Sequence, residues 1–126
     1  MKFTVDKQEK YAIFSLNEMN LNSLVAPNLK SEFVLLHSEG VKNLIFDMSD
    51  VHFVDSSGLS AILTANRLWK DQGLFVLTGI NHPSVIKLID ISRLNSVLTI
   101  IPTVDESVDY VFMDEIEKEL YTESDD

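Results

Sequence analysis

Two short apolar runs, Leu44-Ile45-Phe46 and Leu74 to Thr78, constrain this chain more than anything else in it. Neither alternates polar with apolar residues, so each predicts a strand buried on both faces rather than one with a wet side. Between them Leu59, Ile62, Leu63, Asn66 and Trp69 or Lys70 mark successive helical turns, and Gly73 closes the pattern. Strand, helix and strand in that order require parallel pairing through a crossover helix. The pattern then repeats. Pro83 opens a short helix through about Ile91, Ser96 to Ile101 forms the last strand, and Thr103 or Asp105 caps a final helix reaching about Leu120.

Upstream, residues 3–5 and 10–16 read as two short strands close enough in sequence to pair antiparallel. A polar stretch from Asn17 to Asn22 follows, with Met19 and Leu21 as its apolar residues. Ser23 is then placed to cap a helix running to about Glu39, with Leu24, Leu29, Phe33 and Leu36 on one face and Pro27 in its early turns. Gly40 ends it. The expectation is a single α/β domain over residues 1–120, with a mixed, mainly parallel sheet of four to five strands and about four helices. Residues 121–126 would form an acidic tail that frays from Glu123 onward.

Ten basic residues stand against twenty acidic ones, a formal charge of −10. Such a balance lacks the basic footprint of a nucleic-acid binder and disfavours an anionic membrane surface. No apolar run approaches the roughly 20 residues that span a bilayer, and the first residues carry no stretch of signal-peptide type. The chain has no cysteine, which excludes disulfides, thiolate catalysis and thiolate zinc sites. A cytoplasmic protein fits these traits.

Ligand sites of open α/β sheets lie beyond the carboxyl ends of the strands, and residues 49–58 occupy such an edge. There the segment His52-Phe53-Val54-Asp55-Ser56-Ser57-Gly58 hands over to a helix. Asp55, Ser56 and Ser57 are all good N-cap residues, and Gly58 permits close packing. A nucleophile elbow is a poor match: centred on Ser56, the trailing glycine is Gly58 but Val54 holds the leading position. A hydrolase would also need His82 as its base. The third reading is a phosphate acceptor, since a helix N-terminus accommodates an anion while the added charge beside Asp55 repels a docked partner. The stretch Leu44 to Asp50 invites comparison with a phospho-acceptor aspartate at Asp47. The acid pair and the lysine that accompany such an aspartate in response-regulator receivers are absent, so Asp47 reads as a loop acid. His37, His52 and His82 have no metal-ligand spacing, and Trp69 reads as core.

The run Asn43 to Leu63, with its apolar strand, Asp-x-Ser loop and Asp-Ser-Ser-Gly-Leu helix start, resembles the STAS-domain family of anti-sigma-factor antagonists. The likeness extends through the segment Gly73 to Ile100, and residues 41–112 carry it. It implies a non-enzymatic, phosphorylation-switched binding module without cofactor or metal. Unphosphorylated, such a domain sequesters an anti-sigma factor that is also a serine kinase of the histidine-kinase-like ATPase fold, and so frees a sigma factor. The kinase phosphorylates the serine after the aspartate, here Ser56, and a PP2C-type phosphatase reverses it. Asp55, Ser57 and Gly58 would shape the partner surface, Gly58 by admitting the partner's backbone. Asn22 stands where the family has an aspartate before its first helix, and the family's glycine there is missing. The alternative implied by the same family is an unphosphorylated scaffold or regulatory subunit of a transporter or stress-signalling complex.

Overall fold

The computed structural model describes residues 1–124. Leu44, Ile45 and Phe46 are fully buried, as an unbroken apolar run requires. In chain order the elements are β1 (Phe3–Lys7), β2 (Ala12–Leu16), β3 (Asn20–Leu21), α1 (Ala26–Ser38), β4 (Leu44–Asp47), β5 (Phe53–Val54), α2 (Ser56–Trp69), β6 (Phe75–Thr78), α3 (Pro83–Ile91), β7 (Thr99–Ile101) and α4 (Val104–Ser124). A 3-10 turn over Leu94–Ser96 precedes β7 and takes up the start of the strand expected from Ser96.

The main sheet has the order β1-β2-β4-β6-β7. The β1–β2 pair is antiparallel and every other neighbour is parallel. Successive residues of a strand point to opposite faces, so Phe14, Leu44, Phe46, Phe75 and Leu77 enter one core while Ile45 and Val76 enter another. The first core is closed by α1, α2 and α3. Its aromatic centre joins Phe33 to Phe14, Phe46, Trp69 and Phe75 in edge-on contacts with ring centroids 5.2–6.4 Å apart. Trp69 is wholly buried and donates its indole N–H to the Val41 carbonyl at 2.9 Å, so its polar atom costs nothing to bury.

The second core lies under α4, where Val111 meets Ile45 and Val76. Asn43 ties this side together. Its amide donates to the Lys10 carbonyl (2.8 Å) and to Glu115 Oε1 (3.1 Å), and its oxygen accepts the Leu74 amide (2.9 Å). The expected boundary at residue 120 lies within α4, which continues to Ser124; Asp125 and Asp126 lie outside the described residues.

Two helix starts differ from expectation. Ser23 does not cap α1, and Leu24 is not on its buried face: the helix begins at Ala26, and Leu24 is 84% exposed. The cause is Asn22, whose side-chain oxygen accepts the Leu24 amide (3.0 Å) while its carbonyl accepts the amide of Ala26 (2.8 Å). Such an Asx turn competes with the helix and delays it. Ala26, Leu29, Phe33 and Leu36 form the buried stripe instead. Gly40 follows α1 with φ of +87°, the left-handed geometry that ends a helix. For α4, Thr103 is the cap: its hydroxyl accepts the Glu106 amide at 3.1 Å.

Candidate functional site

Because β4 and β6 run parallel, the loops that leave Asp47 and Thr78 emerge on one edge of the sheet. A second, two-stranded sheet builds on that edge. β3 and β5 pair in parallel, Asn20 with Phe53 and Leu21 with Val54. The amides of His52 and Phe53 donate to the Met19 carbonyl (2.8 and 3.2 Å), and the Asp55 amide donates to Leu21 (3.2 Å). These bonds hold the segment before α1 against the segment before α2. Sequence reasoning missed both strands, since two residues each are too few to show any alternation.

Gly58 makes this approach possible. A Cβ there would sit 2.3 Å from the Leu21 carbonyl oxygen and 2.7 Å from Leu21 Cγ. The room that Gly58 provides is therefore filled by the chain itself, and its expected place against a partner's backbone becomes a place inside the fold.

The choice of cap is resolved in favour of Asp55. Its Oδ1 accepts the Gly58 amide and its carbonyl accepts the Leu59 amide, both at 2.9 Å. Ser56 and Ser57 are then the first two helical residues, Ser56 exposed and Ser57 half-buried. Among the described residues, neither of their amides has a partner in the chain. Ser56, an exposed residue, thus stands at the positive end of α2 beside two unused backbone donors.

Helix α1 packs beside α2, leaving a shallow depression of about 400 Å³ lined by Ser23, Pro27, Lys30, Ser56, Ser57 and Ser60. Lys30 donates to the Ser60 hydroxyl at 3.1 Å. No sequence spacing links Lys30 to α2, and only the packing of the two helices brings it here. Around the same edge Met19, Leu24 and Phe53 are 55%, 84% and 56% exposed, an apolar rim that a polar-looking segment did not advertise. Asn22, half-buried, serves the edge by holding the turn that carries Leu24 outward.

The remaining candidates are accounted for locally. Asp47 Oδ1 accepts the Ser49 amide at 3.0 Å, the behaviour of a loop acid. His82 stacks its ring on His52, with centroids 3.6 Å apart. His37 packs edge-on against Trp69. Among the described residues, no three acids or histidines are grouped to hold a metal ion, and no helix is long and apolar enough to cross a membrane.

The chain is a mixed α/β module with an exposed serine at the start of α2. Residues 2–107 match the family model of the STAS domain, and the chain belongs to that family. Among proteins of curated function none matches the sequence. Solved structures share the fold. An anti-sigma factor antagonist from Mycobacterium paratuberculosis is 22% identical with a TM-score of 0.76, covering 87% of this chain and 92% of that one. The Bacillus cell fate determinant SpoIIAA in its phosphorylated form is 20% identical with a TM-score of 0.67, over 87% and 99% of the two chains. A sulfate transporter family protein from Wolinella succinogenes is 18% identical with a TM-score of 0.69, over 80% and 84%.

Proposed function

We propose that this chain is an anti-sigma-factor antagonist, a cytoplasmic, non-enzymatic module whose docking is switched by phosphorylation of Ser56. In this reading the bare form sequesters an anti-sigma factor that is also a serine kinase of the histidine-kinase-like ATPase fold, which frees a sigma factor for transcription. A PP2C-type phosphatase restores the bare form. Asp55, Ser56, Ser57 and the turn at Asn22 contribute to the docking surface, with Gly58 supporting them from within.

The observation that carries the reading is the position of Ser56: an exposed hydroxyl on the first turn of α2, beside the apolar rim of Met19, Leu24 and Phe53. A partner covering that rim must also cover Ser56. A phosphate adds a charge of roughly −1.5 to −2, placed next to Asp55, and desolvating that charge under a docked partner costs several kcal/mol. A penalty of about 3 kcal/mol is already about a hundredfold in affinity. The fold itself has no reason to object, since the phosphate meets unused amides and the positive end of α2.

Affinity capture from the native cells tests this, with wild type, Ser56→Ala and Ser56→Asp as baits and mass spectrometry as the readout. A kinase of the stated fold recovered by wild type and Ser56→Ala, and at least about tenfold depleted on Ser56→Asp, is the expected result. Equal recovery on all three baits contradicts the switch. The likeness to a sulfate transporter family protein favours a second reading, a STAS regulatory module of a transporter or signalling complex. Recovery of membrane-transport or scaffold proteins indifferent to Ser56→Asp would select it.

A further inference from the structure

Helix α4 has two faces of different character. Ser107, Val111 and Glu115 are buried against the sheet, with Val108 packed beside them. Away from that face Phe112, Met113, Ile116 and Leu120, spaced by one, three and four residues, form one stripe and keep between 44% and 59% of their surface exposed, Phe112 at its margin with its ring edge-on to Tyr11. Stripes of this kind on a helix that already has a buried face mark a surface made to be covered.

The charges that α4 itself sets along the stripe are mostly acidic, while Lys10 and Lys42, the latter paired with Glu115, lie near its Glu119 end. Asp105, Glu106, Asp109, Glu117 and Glu119 are exposed along or beside it. The one base in α4 is Lys118, which is spent on Asp114 of the same helix at 2.9 Å. A second copy of the chain would set acids against acids, and an anionic lipid surface would be repelled likewise. Apolar side chains flanked by lysine or arginine are the complement.

We propose that the outer face of α4 is a docking site for a basic amphipathic helix of a partner protein, its apolar residues seated between Phe112, Met113, Ile116 and Leu120 and its bases against the flanking carboxylates. The site lies on α4, across the sheet from α1 and α2, so it is distinct from the Ser56 edge and independent of the switch proposed there. A module of this design holds one partner whether or not Ser56 carries a phosphate, and exchanges another according to it.

The test uses the full chain and a synthetic leucine-striped, lysine-flanked helical peptide of about five turns, with two controls: the same peptide with glutamates for lysines, and a scrambled lysine peptide without the stripe. Binding is followed by backbone amide shifts and by titration calorimetry. The striped lysine peptide is expected to shift α4 amides, to weaken with added salt, and to lose about tenfold or more in affinity on the Met113→Ser/Ile116→Ser double variant. Ser56→Asp should leave it unchanged. Both altered residues are exposed, and far-UV circular dichroism confirms that the variant is folded. Absent binding, equal binding to the scrambled peptide, or shifts centred on the Ser56 edge overturn the proposal. Sedimentation showing a wild-type dimer that Ile116→Ser dissolves would overturn it too, in favour of a second copy.

Discussion

On one face of the sheet Phe14, Phe46 and Phe75 meet Phe33 of α1 and Trp69 of α2, with α3 completing the cover; on the other, Ile45 and Val76 meet Val111 of α4 within a rim of half-buried side chains. The first face is a thick aromatic core, the second a thin aliphatic one. The contrast bears on function. The Ser56 edge grows out of the thick side, where α2 is anchored by Ala61, Ile62, Ala65 and Trp69, so a charge added there acts on the surface of a rigid platform. Helix α4, by contrast, spends less of its apolar surface on the core and leaves a stripe outward.

Unequal cores predict unequal losses. Trp69→Ala should destabilise the protein by about 3–5 kcal/mol, as large aromatic truncations in tight cores do. Val111→Ala, which removes fewer atoms from the thinner core, should cost roughly 1–2 kcal/mol. Both are read from urea denaturation at constant m-value, and equal losses would break the contrast. Between these two in size falls Gly58→Ala. Its Cβ must displace the Leu21 backbone, with an expected cost of about 2–3 kcal/mol and disturbed amide shifts in β3 and β5. A neutral outcome would mean that the two-stranded sheet is not seated on α2.

Glu115 sharpens the comparison on the α4 side. Burial pushes its carboxyl up, and the hydrogen bonds from Asn43 and Lys42 with the charges of Lys42 and Lys118 more than offset this, leaving it below the ordinary glutamate value. A depressed pKa favours the fold at pH above the unfolded value of about 4.3 and loses that contribution as pH falls through the folded one. Glu115→Gln should cost about 1–2 kcal/mol at neutral pH, and its deficit should shrink in acid. A deficit constant from neutral pH down through the carboxyl range would place the stability elsewhere. The smallest effect belongs to the Ser56 edge: Ser56→Asp should shift stability by less than about 0.5 kcal/mol, with an unchanged circular dichroism spectrum.

The architecture was legible in the chain because its signals are local. The apolar runs at Leu44 and Leu74, the stops at Gly40 and Gly73 and the start at Pro83 each act within a few residues, and α3 falls on its expected span. What escaped is what only tertiary packing creates. β3 and β5 exist because they pair with each other. Leu24 lies outside α1 because Asn22 diverts its amide, and Lys30 reaches Ser60 because α1 lies on α2. Ser56 and Asp55 were readable as a helix start and Gly58 as a place of close packing, whereas its neighbour was not, since nothing in the sequence says that Leu21 passes over it.

Intact-mass analysis of the protein recovered from its native cells, with and without phosphatase treatment and followed by peptide mapping, tests the central claim most directly. The account predicts a phosphatase-removable phosphate on Ser56. An unmodified Ser56 through growth and stress would contradict it, and the first turn of α2 would then belong to a constitutive docking surface.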